Sequence, residues 1–173
     1  MLNMILGLLF IQMVSFPQPP DGDLCSTSEA HQMDFWLGDW NVEWKNTDST
    51  ISKGTNHVIN LFDGSCVIEE NFDGMPGTSL IGKSFSVYDR KERLWKQTWV
   101  DNGGTYLDFT GAFKDGKMIL TRETADKNGS PVMQKMIYYN ISKNDFDWNW
   151  EISHDTGKTW DLKWKIHYKR MIE

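Results

Sequence analysis

The feature that most constrains this chain is a succession of short runs in which apolar and polar residues alternate, each ended by a cluster rich in Gly, Asn or Asp. Two consecutive runs near the C-terminus are the cleanest. Phe146, Trp148, Trp150 and Ile152 share one face, with Asp145, Asp147, Asn149 and Glu151 on the other. Trp160, Leu162, Trp164, Ile166 and Tyr168 then alternate with Asp161, Lys163, Lys165, His167 and Lys169. A period of two means a strand with one buried and one wet face. Runs of this kind are predicted at 39–46, 53–62, 65–72, 79–88, 94–101, 105–114, 117–124, 132–141, 145–152 and 160–169. Between them, Phe62-Asp63-Gly64, Asp73-Gly74-Met75-Pro76-Gly77, Asn102-Gly103-Gly104, Asp115-Gly116, Asn128-Gly129 and Asp155-Thr156-Gly157 supply residues that tolerate the positive φ of hairpin turns. Short links make sequential strands antiparallel neighbours. A meander with this many strands is best closed, because closure removes both edges. The expectation is an all-β, antiparallel up-and-down barrel of about ten strands. Ahead of it, Ser26-Thr27-Ser28-Glu29 fits a capping box leading into a short helix through about Leu37.

A length of 173 residues suits one domain. With 24 acidic against 18 basic residues and a net charge of -6, the chain has no Lys/Arg cluster to meet a phosphate backbone, so nucleic acid is excluded as a partner. Residues Leu2 to Phe16 are almost wholly apolar and are followed by Pro17, Pro19 and Pro20. The uninterrupted core is much shorter than the roughly 20 residues of a spanning helix and matches the apolar region of a secretory signal. It lacks a preceding Lys or Arg and a clear small-residue cleavage site, so an N-terminal arm that is disordered or docked on the core is the competing reading. The expected organisation is a signal peptide over 1–18, a linker over 19–25 and one barrel domain over 26–173. The mature chain would then be exported, periplasmic or secreted, with no integral membrane segment. An oxidising compartment makes a disulfide between Cys25 and Cys66 the natural expectation, against two unrelated thiols. It would staple the N-terminal arm to the barrel, a closure valued at roughly 3–4 kcal/mol in the chain-entropy account. Asn128-Gly129-Ser130 and Asn140-Ile141-Ser142 fit glycosylation acceptors in a pathway that uses them.

The segment Met33-Asp34-Phe35-Trp36-Leu37-Gly38-Asp39-Trp40 is the most distinctive in the chain. A short helix, a Gly-x-Trp step and an amphipathic strand resemble the opening of lipocalins and fatty-acid-binding proteins, the calycin group. That resemblance implies that Trp40 closes one barrel end and that Lys169 or Arg170 packs on its face, a cation–π contact worth about 1 kcal/mol. The chain more closely resembles an uncharacterised family of small, often exported calycin-like barrels that open with Phe-Trp-Leu-Gly-Asp/Glu-Trp. The likeness continues through Gly64-Ser65-Cys66-Val67-Ile68-Glu69-Glu70, Tyr88-Asp89, Trp95 to Asp101, and Ser153 to Trp160. It implies a fold and no activity. Ser153 to Trp160 also fits the Asp-box of sialidases, but a single copy reads as a structural hairpin turn.

No catalytic signature appears. No two His share the spacing of a metal pair, so no metal site is indicated, and no cofactor is implied. His167, the residue a barrel haem protein would need, shares a face with Lys163, Lys165 and Lys169 and reads as a wet surface His. His57, in phase with Thr55, Ile59 and Leu61, is a candidate to point inward. The informative residues are polar ones on otherwise apolar faces: Glu70, Gln97, Arg122 and Gln134. If inward they need partners, at about 1–3 kcal/mol each when unpaired. Glu70 with Arg122 is one plausible pair. Trp148, Trp150, Trp160 and Trp164 read as core before pocket wall. The candidate ligand-binding residues are Trp40, His57, Glu70, Gln97, Trp99, Arg122, Tyr138 and Trp150. The leading expectation is non-catalytic binding of a small apolar or aromatic molecule inside the barrel. The alternatives are an enzyme using Glu70, His57 and Arg122 as an acid–base set, or an interaction module with a filled barrel.

Overall fold

A computed structural model describes residues 25–62, 66–74 and 80–172. The expected signal peptide, the linker up to residue 24, and the turn residues Asp63-Gly64 and Met75-Pro76-Gly77 lie outside the described residues. Ten strands follow in order: β1 Gly38–Lys45, β2 Ile51–Asn60, β3 Val67–Gly74, β4 Leu80–Asp89, β5 Leu94–Asp101, β6 Tyr106–Lys114, β7 Lys117–Ala125, β8 Pro131–Tyr139, β9 Asp145–Ser153 and β10 Asp161–Arg170. Each pairs antiparallel with its sequence neighbour, and β10 returns to β1, closing the barrel. The sheet is the one the alternating runs predict, with most strand ends shifted by one or two residues.

The short helix before β1 differs from expectation. It is two 3-10 turns, Ser28–His31 and Asp34–Trp36, and neither is capped by a side chain. The Ser28 hydroxyl bonds the adjacent Glu29 carboxylate instead of completing a capping box. What holds the segment is burial. Ala30, Met33 and Trp36 are inaccessible to solvent and plug one end of the barrel. Phe35 meets Phe146 edge-on at 5.5 Å, and Trp36 meets Tyr138 at 5.2 Å. Trp40 donates its indole N–H to the Trp36 carbonyl at 2.8 Å. The Arg170 guanidinium lies 4.1 Å over the Trp40 ring and donates to the carbonyls of Leu37, Phe35 and Lys143. The basic residue on Trp40 is therefore Arg170. Cys25 and Cys66 form the expected disulfide, with Cα atoms 5.3 Å apart, joining the plug to the start of β3.

The last hairpin has a register irregularity that the sequence pattern hides. In β10, Leu162 pairs with Glu151 but Trp164 pairs with Trp150, so Lys163 is the extra residue of a β-bulge. Trp164, Ile166 and Tyr168 keep the inward face, whereas Leu162 is 54% exposed. Trp160 lies before the strand, under the Lys135 ammonium at 3.8 Å, and its N–H donates to the Gly157 carbonyl. The expectation that Trp160 and Leu162 share the inner face with Trp164 is thus corrected. The turn itself forms as its residues demand. Asp155 accepts the backbone N–H groups of Lys158 and Thr159, and Thr156 and Gly157 take positive φ. Those bonds hold the Asp155 carboxyl below the usual carboxylate range.

Candidate functional site: a half-hollow barrel with an acid at its floor

The barrel interior divides into two halves. The half nearest the plug is solid: Phe146 stacks on Tyr168 at 4.3 Å, Trp40 packs edge-on against Phe146, and Met118 and Leu120 are fully buried. The other half, toward the β5–β6 and β9–β10 hairpins, holds a cavity of about 470 Å³. That size lies within the range of small-molecule sites. Its wall is built from Phe72, Trp99, Leu107, Phe109, Met136, Trp148, Trp150, Trp164 and Ile166. Many of these rings meet edge to face, as in Phe109–Trp150, Phe72–Trp164 and Trp148–Trp164. Such contacts fix ring orientation beyond what burial alone does. Asp101, Thr105 and Lys163 lie at the lip, and Lys163 reaches it because of the bulge in β10.

The floor is polar. Glu70 is 5% exposed and lines the cavity with Gln97, Tyr138 and Tyr168. Alternation from Ile68 through Phe72 dictates its inward direction, since both neighbours on its face are buried apolar residues. Ser84 lies opposite it on β4 and donates its hydroxyl to Oε2 at 2.6 Å. The Asn56 amide donates to Oε1 at 2.7 Å and is 3.3 Å from the Tyr168 hydroxyl. Removal from water outweighs these two bonds and pushes the Glu70 carboxyl up to about 7. Burial and the Glu70 charge push the hydroxyls of Tyr138 and Tyr168 above the normal phenol range. Gln97 donates to the Ser86 hydroxyl at 2.9 Å, and Gln97 and Trp148 line the cavity with Tyr138.

Six of the eight candidates lie in or beside this cavity. Glu70, Gln97, Trp99, Tyr138 and Trp150 line it. Arg122 points inward beside it, 5.8 Å over the Phe109 ring, but does not pair with Glu70. It donates to Gln134 at 3.1 Å and meets Asp108 at 3.6 Å. The remaining two are corrections. Trp40 is sealed under Arg170 at the plug, away from the cavity. His57 faces outward, half exposed, paired with Asp39. The cause is register: Asn56 sits opposite inward-facing Trp40 and Phe72, which sends its neighbour His57 outside. The acid–base set of Glu70, His57 and Arg122 is therefore not assembled. His167 lies on the outer face with Asp147, as its parity predicts. Trp148, Trp150 and Trp164 are wall as well as core, since each packs against the aromatic cluster and lines the cavity.

Sequence reasoning missed Asn56 and Ser84. Their faces of β2 and β4 carry Gly54, Gly82 and Ser86 and give no clear apolar signal, so only the pairing of Asn56 with Trp40 and Phe72, and of Ser84 with Glu70, shows that they point inward. The comparisons add little to this picture. No family model matches the chain, and no curated protein matches it. Among solved structures, a redesigned beta barrel is similar at 12% identity and a TM-score of 0.43, covering 83% of this chain and 96% of that one. A structure of EF1p2_mFAP2b bound to DFHBI is similar at 10% identity and a TM-score of 0.42, covering 83% and 100%. Neither likeness bears on what the cavity holds.

Proposed function

We propose that this barrel binds a small, partly apolar molecule in its hollow half, without catalysis. The observation that carries the reading is the cavity of about 470 Å³, walled by indole and phenyl rings and provided with a few polar groups at one end. Apolar walls supply the driving force for binding, and a small polar set fixes orientation. The packed half of the barrel closes the cavity at its floor. The calycin-like reading rests on the Gly38-Asp39-Trp40 opening and on Arg170 over Trp40. Export through an N-terminal signal over 1–18 is part of the same proposal, and the Cys25–Cys66 disulfide supports an oxidising destination.

The test is titration of the disulfide-intact protein with a panel of apolar and aromatic molecules, followed by Trp fluorescence and calorimetry. A saturable response is expected from at least one member. Leu107→Trp, which fills the cavity from β6, is expected to weaken that binding at least tenfold. No saturable response across the panel, or binding indifferent to the filling substitution, would reject the proposal.

A further inference from the structure

We infer that the molecule held in the cavity carries a basic nitrogen, seated against the Glu70 carboxyl at the floor with the rest of the ligand among the indoles of the wall. This rests on the cavity being a ligand site and specifies the chemistry of its occupant.

Among the described residues, the floor has acceptors to spare and no positive charge. Each Glu70 oxygen receives one protein donor, from Asn56 or Ser84, and a carboxylate has room for more. Asn56 Oδ1, beside it, is buried with no hydrogen-bond partner among the described residues. Around Glu70, Asn56 from β2 and Ser84 from β4 bond it, Tyr138 from β8 and Tyr168 from β10 feel its charge, and Gln97 from β5 and Trp148 from β9 line the same cavity. The titratable ones among them are the two tyrosines, both held in their neutral form by burial and by Glu70 itself. The charged side chains nearest the cavity stand elsewhere. Lys163 and Asp101 are at the lip, and Arg122 bonds Gln134 and meets Asp108, with its Nε buried and without a partner among the described residues. A buried carboxylate without a counter-ion is costly, and a ligand that brings the positive charge removes that cost. A ligand carboxylate would add a second negative charge in the same low-dielectric space, and both would be disfavoured.

Burial holds the free Glu70 carboxyl near 7, so a cationic ligand must displace its proton to form the ion pair. Affinity for an amine then falls with pH as the ionised fraction of Glu70 falls, by about 50-fold between pH 7 and pH 5. A neutral ligand of the same shape shows no such dependence.

The experiment uses three molecules that share one ring system: naphthylmethylamine, naphthylmethanol and naphthoic acid, titrated calorimetrically into the disulfide-intact protein. At pH 7 the amine is expected to bind at least tenfold tighter than the alcohol, with the acid weakest. The ratio of amine to alcohol affinity is expected to collapse at pH 5 and in Glu70→Gln. If the alcohol matches the amine at pH 7, or the ratio survives both at pH 5 and in Glu70→Gln, the inference fails while the cavity remains a ligand site. If neither these three nor the wider panel binds, the cavity reading fails and takes this inference with it.

Discussion

Glu70 sits in an environment that works against its ionised form. A carboxyl group with two neutral donors and no cation is kept in the interior at the expense of stability whenever it ionises. Its folded-state value near 7 lies above the unfolded value of 4.5, so between those limits the folded state binds the extra proton. Stability therefore falls as pH rises from about 4.5 to about 7, by about 3 kcal/mol for the full shift. Glu70→Gln keeps the shape and removes the titration. Urea denaturation of both proteins between pH 4 and 8 is expected to show the variant flat where the parent declines, with the variant more stable at pH 8. Parallel curves would mean that burial does not raise the Glu70 carboxyl in the folded protein. The inward direction of this residue was legible, because Ile68 and Phe72 flank it on an unambiguous apolar face. That of His57 was not. Its strand alternates Thr55, His57 and Ile59 with Asn56 and Val58, and neither set is apolar enough to declare itself. What decides is pairing with Trp40 and Phe72, a fact of register that no local pattern contains.

At the scale of elements, the strands were legible because turn chemistry and period-two patterning agree at nearly every boundary. The bulge in β10 was not, because Leu162, which it leaves outside, is itself apolar and carries the alternation of residue types across the change of phase. From Trp160 to Tyr168 the sequence reads as one continuous stripe, yet the inner face begins only at Trp164. The consequence for the site is direct, since the bulge brings Lys163 to the lip of the cavity. A second feature of this scale is Gly111 in β6, paired with Trp95 on β5 and Leu120 on β7. A Cβ at this position would run into the Ile119 carbonyl, a backbone atom of the adjoining strand that cannot rotate away. Glycine here permits the close approach of β6 to β7. Gly111→Ala is expected to destabilise the barrel by about 2–3 kcal/mol, read as a lower denaturation midpoint with an unchanged slope. Gly116→Ala, where a Cβ meets open space but φ is +75°, separates turn strain from this steric clash. A smaller loss is expected there, about 1 kcal/mol. Equal losses at both positions would remove the close-approach explanation for Gly111.

At the scale of the whole molecule, the chain builds one end of its barrel as a protein core and leaves the other as a container. The nine Trp divide accordingly. Trp36, Trp40 and Trp95 belong to the closed end, where Trp95 donates to the Glu29 carbonyl in the plug. Trp99, Trp148, Trp150 and Trp164 surround the cavity, and Trp44 packs behind Phe72 and Trp164. Trp160 anchors the last hairpin from outside. The disulfide belongs wholly to the closed end, bridging a sequence separation of 41 between the plug and the start of β3. Its contribution is therefore separable from that of the cavity. Cys25→Ser combined with Cys66→Ser lengthens the freedom of the unfolded chain and loosens the plug, at roughly 3–4 kcal/mol of stability. The cavity wall contains neither cysteine, and it meets the plug at the floor, where Tyr138 packs against Phe35 and Trp36. The double variant, held at a temperature where it remains folded, is expected to bind the cavity ligand within about twofold of the parent while its denaturation midpoint drops. An affinity loss that tracks the stability loss would show instead that the plug positions the floor, and that Glu70, Tyr138 and Tyr168 depend on the staple for their arrangement.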